Sequence, residues 1–503
     1  MMNTPHLSPA RYASAMLMAL LCASASLADN VRTYTTTAQG TQKLERRTTV
    51  TSKRVAANAI TLCPDTLHQS MDGFGYAITY SSCYNLMQMS PKDRYDFLLD
   101  TFSPTEGLGV SYARISIGCS DFSSTEYSLC DAPGLENFRL HDDETKYVIP
   151  ILKEIIAINP HLKVMAAPWT CPRWMKVESL STLRPHNFWT SGHLNPSYRQ
   201  AYADYFVRFV QAFQSEGIPI YAVTPQNEPL NQGNCASLYM PWAEEAEFIK
   251  YLAPAFKKAG LDTRIYCFDH NWNYDNKQDQ RSYPVNVFNA LSGKMEGSEL
   301  VVGSAWHDYG GEASELDNIN RSLPDKEVIF TEASIGTWND GRNLGTRLLT
   351  DMNRLVYNTV TRECRAVMVW NLMLDLQRGP NLDGGCTTCY GAVDIDQNNY
   401  KTITRNSHYY IIAHSSAVVQ PGARRIGQQI KGCRGIGAIS FLNPDSTLAT
   451  LLINNNDAEQ AVSVVKALGV VANLKLPARS VTSVLMGPSA LVPVKKGGYY
   501  ARQ

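Results

Sequence analysis

The order of apolar runs in this chain predicts a (β/α)8 barrel with an accessory β-sandwich built from both chain termini. Three observations carry that reading. Eight short, near-continuous apolar runs lie between residues 74 and 370, amphipathic helical segments separate them, and polar or aromatic residues crowd the end of each run. Runs of this kind belong to a parallel sheet covered on its outer side, and eight repeats across roughly 300 residues match a closed barrel. A doubly wound open sheet is the competing reading.

Taken in order, the strand candidates are 74–78, 112–117, 163–167, 221–223, 264–268, 301–305, 328–330 and 366–370. The clearest helix lies before the fourth. Asn195 is a good N-cap and Pro196 suits the first helical position, and Tyr198, Ala201, Tyr202, Tyr205, Phe209 and Phe213 then recur at helical spacing until Gly217. Ser90 and Pro91 open another helix through Phe97 and Leu98, and a third runs from Pro241 to Lys258 and stops at Gly260. Past the runs come Trp169, Asn227 with Glu228, Asp269 with His270, Trp306 with His307, Glu332, and Trp370 with Asn371. Barrel enzymes build their sites at that C-terminal face, where strand ends converge and loops are free to vary.

The flanks are different. Residues 29–70 and 411–487 are rich in Val, Thr, Ile and Leu in short runs such as 448–453 and 480–485, broken by turns such as Asn454-Asn455-Asn456-Asp457. This is all-β patterning, read as one sandwich assembled from both ends and packed beside a barrel over 71–410. Residues 488–503 read as a loose polar tail. At the other end, Arg11, the apolar stretch from Ala15 to Leu21 and the small residues Ala23, Ser24, Ala25 and Ala28 read as an export signal over 1–28. The expected location is therefore periplasmic or extracellular. A lipid-anchored form using Cys22 is the alternative, with Leu21 a poor residue before a lipidated cysteine. No later stretch reaches the length of a transmembrane helix.

The 503 residues carry 46 basic and 46 acidic side chains, so no long-range field favours nucleic acid or an anionic surface and a neutral substrate fits best. Without Cys22, eleven of the twelve cysteines remain, an odd number that leaves at least one free thiol. Cys386-Thr387-Thr388-Cys389 has half the spacing of a zinc site but lacks a second half, which leaves a loop disulfide or two free thiols.

Glu228 and Glu332 carry the chemistry. Each closes an apolar run, where a charge is costly unless paired, hydrogen-bonded or used, and two such carboxylates on one scaffold point to glycoside hydrolysis. Asn227 supplies an amide for a sugar hydroxyl, and Pro229 is expected to hold Glu228 in extended geometry. Arg114, Tyr309 and His270 are candidates to keep Glu332 ionised. The eight tryptophans all fall in the barrel region, and Trp169, Trp306 and Trp370, at strand ends, could offer flat walls to a sugar ring.

These residues together resemble glycoside hydrolase family 30, the family of glucosylceramidases and β-1,6-glucanases. The matching segments are Asp72-Gly73-Phe74-Gly75, Arg114 with Ser120-Asp121-Phe122-Ser123, Pro168 through Lys176, Thr224 through Pro229, and Phe330-Thr331-Glu332-Ala333. The resemblance implies Glu228 as general acid/base, Glu332 as nucleophile, and Asp121, Trp169, Asn227 and Trp370 as sugar contacts, with His270 and Tyr309 beside them. It implies a retaining β-glycosidase, most readily a β-1,6-glucanase acting on a neutral β-glucan. A glucosylceramidase-like exo-β-glucosidase and a β-xylosidase are the enzymatic alternatives, and a non-catalytic carbohydrate-binding protein is the alternative of another class. No metal or organic cofactor is expected, because the carboxyl pair supplies both proton transfer and nucleophile. In such a pair the charge of Glu332 and burial should raise the pKa of Glu228. Retention calls for carboxyl groups about 5 to 5.5 Å apart, against roughly 6.5 to 9.5 Å for inversion. The loops at 231–239 and 383–390 depart from the family and flank the expected aglycone side.

Overall fold

The computed structural model describes residues 30–466 and 470–487, so the expected export signal at 1–28 and the tail at 488–503 lie outside the described residues. Three strands come first: β1 (Asn30–Thr37), β2 (Glu45–Val50) and β3 (Ala59–Ser70). The next eight are β4 (Gly73–Ala77), β5 (Tyr112–Ser116), β6 (Lys163–Ala167), β7 (Ile220–Val223), β8 (Arg264–Asn271), β9 (Val301–His307), β10 (Glu327–Glu332) and β11 (Cys364–Val369). Each pairs in parallel with its successor, and β11 returns to β4 to close a barrel. All eight sequence candidates are barrel strands, and the open-sheet alternative is set aside.

The helices start where side chains can satisfy their first N–H groups. Ser90 Oγ accepts from the Asp93 N–H at 3.1 Å, opening the helix Pro91–Phe102. Asn195 Oδ1 accepts from the Ser197 N–H at 3.0 Å, and the short turn there runs into the helix Arg199–Ser215. That helix buries Tyr202, Tyr205, Phe206, Phe209 and Phe213, and Tyr202 stacks at 4.9 Å on Phe248 of the helix Trp242–Lys258.

The barrel interior is layered. At the N-terminal mouth, Asp72 takes Lys163 at 2.7 Å and Arg365 at 3.4 Å, while Glu327 pairs with Arg264 at 2.9 Å and also with Arg365. Above them lies an apolar plug of Tyr112, Met165, Ala222, Tyr266, Ala305, Ile329, Ala366 and Met368. At the C-terminal mouth the interior becomes polar again. The plug keeps water from running through the barrel, so the upper polar groups interact in a medium of low dielectric constant.

The C-terminal segment begins with the helix Ser407–Ser416, so the all-β reading of 411–487 misses its first residues. All ten residues of that helix are buried, because it is wedged between barrel and sheet, and burial on every side erases the alternation that marks a helix face. His414 in it bonds Thr36 Oγ1 and Ser483 Oγ, each at 2.8 Å. The strands β12 (Arg424–Lys431), β13 (Ile436–Leu442), β14 (Leu448–Asn454), β15 (Gln460–Lys466), β16 (Val470–Leu476) and β17 (Ser480–Met486) follow. Together with β1, β2 and β3 they form one sheet in the order β2-β1-β17-β14-β13-β12-β3-β15-β16. It curls around Val31, Ile60, Leu452, Val464 and Val484 until its edges meet, where Ser52 and Val471 exchange backbone bonds of 2.8 and 3.0 Å. Both chain ends thus build the accessory domain, as expected.

Close packing of the barrel wall yields a test. A Cβ added at Gly75 in β4 would sit 1.7 Å from the Tyr112 carbonyl oxygen of β5. The strands must part to admit it, and overpacking of this kind costs about 1–3 kcal/mol. Gly75→Ala is expected to lower the urea midpoint accordingly; an unchanged midpoint would contradict the stated packing.

Candidate active site

Arg114, on β5, points into the polar upper layer with no exposed surface. Its guanidinium donates to Glu332 Oε2 at 2.5 Å, to Asn227 Oδ1 at 2.7 Å and to Asp269 Oδ2 at 2.8 Å. It also lies 5.2 Å from the Trp169 ring and 5.7 Å from the Trp370 ring, both cation–π distances. Burial disfavours this charge, but Asp269 and Glu332 outweigh it and hold the guanidinium above its ordinary pKa. Asp269 is the matching anion. Burial pushes its carboxyl up, and Arg114 with His307 pulls it far below the usual carboxylate range.

Two register shifts turn Asp269 inward. Between β8 and β9 the pairing passes from Phe268 to His270, and between β9 and β10 it passes from Phe330 to Glu332, leaving Asp269 and Thr331 unpaired. Such bulges concentrate at barrel rims, where they re-aim side chains. Here the two extra residues meet: Thr331 Oγ1 donates to Asp269 Oδ1 at 2.6 Å, and Thr224 Oγ1 donates to Asp269 Oδ2 at 2.8 Å.

Glu332 ends β10 and is nearly buried. Tyr309 donates its hydroxyl to Glu332 Oε1 at 2.9 Å, so each carboxylate oxygen has a donor. Glu228 does not end a strand: β7 stops at Val223, and Glu228 lies in the turn beyond it. Its φ is 46°, which corrects the extended geometry expected before Pro229. Backbone bonds on both sides hold this conformation, the Glu228 N–H to Asp269 O at 3.0 Å and the Asn231 N–H to Glu228 O at 2.9 Å. Left-handed geometry at a non-glycine costs on the order of 1–3 kcal/mol and is met at functional sites.

His307 brings the two glutamates face to face. Its Nδ1 is 3.3 Å from Glu228 Oε1 and 4.0 Å from Glu332 Oε1, while its Nε2 is 3.0 Å from Asp269 Oδ1. Burial disfavours the imidazolium, yet Glu332 and Asp269 raise the ring to about 9. This changes the expectation for Glu228. Burial raises its carboxyl, but the His307 hydrogen bond, the charges of His270 and His307 and the Asn231 amide, 2.8 Å from Oε2, pull it below the ordinary value. At rest, then, a proton lies between His307 Nδ1 and Glu228 Oε1 and belongs to the pair.

The other sequence candidates sort as follows. Asp121 is buried near both glutamates, and burial followed by their charges lifts its pKa well above normal. Trp169 and Trp370 pack against each other at 5.2 Å, and the Trp169 Nε1 has no hydrogen-bond partner among the described residues. Asn227 has its oxygen taken by Arg114, which leaves the amide N–H groups for a ligand. Tyr309 serves Glu332, whereas His270 sits 3.8 Å from Glu228, so it is not a support for Glu332. Trp306 lies in the outer core, stacked at 5.1 Å on Trp272, and makes no wall of the cleft. Sequence reasoning noted Asp269 and His307 at strand tips and gave neither a role, and it passed over Asn231. Cys386 and Cys389 form a disulfide, and the other nine described cysteines are free. The backbone of Cys386 hydrogen-bonds the Asp121 carboxylate, and Cys389 pairs with Gly336 just past Glu332. The loop that carries this disulfide therefore braces both sides of the cleft.

Comparison with known proteins agrees with this geometry. Residues 71–419 match the Glycosyl hydrolase family 30 TIM-barrel domain, and residues 422–484 match the beta sandwich domain of that family. Endo-1,6-beta-D-glucanase BGN16.3 of Trichoderma harzianum is 31% identical over 442 residues, covering 82% of this chain and 84% of that protein. Lysosomal acid glucosylceramidase of Mus musculus is 24% identical over 431 residues, covering 80% and 79%. Among solved structures, the endo-beta1,6-glucanase BT3312 superposes with a TM-score of 0.88 at 53% identity, over 92% of this chain and 100% of that one. With both of its domains matched in order, the chain belongs to glycosyl hydrolase family 30.

Proposed function

We propose that this chain is a retaining β-glycoside hydrolase that cleaves β-1,6-linked glucan, and that it does so outside the cytoplasm. The observation that carries the chemistry is the meeting of two carboxylates around one ring nitrogen, His307 Nδ1, at 3.3 and 4.0 Å. A carboxylate pair held this way can supply the acid/base and the nucleophile that a double displacement needs. The likeness to the endo-beta1,6-glucanase BT3312 at 53% identity supports the linkage. Export rests on the composition of residues 1–28.

In the first step a Glu332 oxygen attacks the anomeric carbon, the bond from that carbon to the glycosidic oxygen breaks, and Glu228 gives its proton to the departing oxygen. Arg114 and Tyr309 aim Glu332 with one hydrogen bond to each of its oxygens. The proton reaches Glu228 from the pair it forms with His307. In the second step Glu228 takes a proton from water, the oxygen attacks the anomeric carbon, and the ester bond to Glu332 breaks. Asp121, Trp169, Asn227 and Trp370 line the subsite in which the sugar is cleaved.

Three outcomes are expected. Glu228→Ala should lose about 10²–10⁴-fold on glucan, the usual worth of a general acid, and should spare the first step for aryl glucosides with good leaving groups. Glu332→Ala should be inactive on all substrates, and equal losses in both variants would argue against the assigned roles. Next, kcat/KM should fall with alkali only as the Glu228–His307 pair loses its proton, a loss that His307 delays to about 9. His307→Gln should shift that limb toward acid, and a limb that stays put would remove His307 from the proton path. Finally, β-1,6-glucan, β-1,3-glucan, glucosylceramide and aryl β-glucoside and β-xyloside can be compared by product length, with proton NMR of the first anomer. Oligomers from β-1,6-glucan alone, released as the β-anomer, are expected. An α-anomer would exclude retention, and release from glucosylceramide alone would replace the glucan.

A further inference from the structure

His270 is fully buried, and neither ring nitrogen has a hydrogen-bond partner among the described residues. Unpaired buried imidazole nitrogens are costly, and a ligand between them and their neighbours would recover the loss. The ring is not randomly placed. Its Nδ1 is 3.8 Å from Glu228 Oε1, and its Nε2 is 3.1 Å from Asp275 Oδ2, outside hydrogen-bond geometry. His307 repeats the arrangement with Nδ1 3.3 Å from the same Glu228 oxygen and Nε2 3.0 Å from Asp269 Oδ1. Two imidazoles thus turn Nδ1 to one carboxylate oxygen, each with a second carboxylate behind it. The three ligand atoms lie within 4.8 Å of one another.

A carboxylate bonded behind an imidazole is the usual outer arrangement of a histidine metal ligand; Asp269 already stands so behind His307, and Asp275 lies 3.1 Å from His270 Nε2, where a turn of the ring would make the same bond. Two histidines and one glutamate match the protein ligands of a three-ligand zinc site. Bonds of about 2.0–2.2 Å in tetrahedral geometry set ligand atoms roughly 3.3 Å apart. The His307 distance to Glu228 already meets that spacing, the His270 distance is 3.8 Å, and all separations stay within 4.8 Å, so the two rings must draw together to close the site.

We propose that Glu228, His270 and His307 form a binding site for a borderline divalent transition metal, with Zn²⁺ the fitting ion, and that its occupancy switches the enzyme off. Two nitrogen donors favour such an ion over Mg²⁺ or Ca²⁺. The metal would take Glu228 Oε1 and replace the proton between Glu228 and His307, so neither acid nor base would remain. Binding stands on the geometry alone; inhibition rests on the glycosidase reading.

The test is calorimetric titration of the metal-stripped full chain with ZnCl2, beside Asp275→Ala and His270→Ala. One ion per chain is expected, bound about 10–100-fold more weakly in Asp275→Ala, the usual effect of losing a partner behind a ligand, and not at all in His270→Ala. Since nine thiols among the described residues are also free, the wild-type chain loaded with Co²⁺ gives a reading that needs no variant. Visible d–d bands without a near-ultraviolet thiolate charge-transfer band are expected. A thiolate band, absence of binding, or equal affinity in all three proteins would overturn the site. Bound Zn²⁺ should suppress aryl β-glucoside hydrolysis and EDTA should restore it; full activity with the ion bound would overturn the switch. A chain inactive before any zinc is added would sink the glycosidase reading and the switch with it, and calorimetry would still decide the site.

Discussion

Everything in the upper barrel is arranged around one guanidinium that water does not reach. Arg114 brings a permanent charge into a low-dielectric interior, where an ion of that size is tolerated only with near-complete pairing. The pairing comes from three different strand ends: Glu332 of β10, Asp269 of β8 and Asn227 beyond β7. Asp269 in turn organises His307, Thr224 and Thr331. One buried cation therefore fixes the positions of both glutamates, Glu332 directly and Glu228 through Asp269 and His307. Positioning by charge is stiff, because moving any member uncovers an unpaired ion.

The barrel carries a second ionic layer at its other mouth, around Asp72 and Glu327, separated from the first by the apolar plug. The two layers do different work. The lower one sits in a mouth whose cations are partly exposed, and it neutralises the start of the strands. The upper one holds a cation with no exposed surface and carries both glutamates.

Much of this could be read before any coordinates. The eight barrel strands are apolar on both faces and stop at polar residues, and each signal survives in a single sequence. Glu228 and Glu332 were legible because a carboxylate that closes an apolar run is rare. Asp269 and His307 were visible in place but not in role, since bulges at Asp269 and Thr331 break the period of two on which any inward or outward assignment depends. The lowered pKa of Glu228 was hidden for the same reason: it comes from imidazoles whose direction the bulges set. The left-handed turn at Glu228 was missed because local preference before a proline gave way to hydrogen bonds with Asp269 and Asn231. The helix Ser407–Ser416 escaped because it is buried on every side and shows no polar face.

The seam between the two chain ends has a temporal side. Within the curled sheet, β1 lies between β2 and β17, and Thr35 meets Thr482 across 447 positions. A strand made before all the other described strands thus has one neighbour at hand and waits until β17 is made to find the other. The barrel, whose contacts join successive strands, can be complete in the meantime. Assembly would then finish beside the earliest described strand, with β17 acting as a clasp that shuts the accessory domain over an already folded barrel.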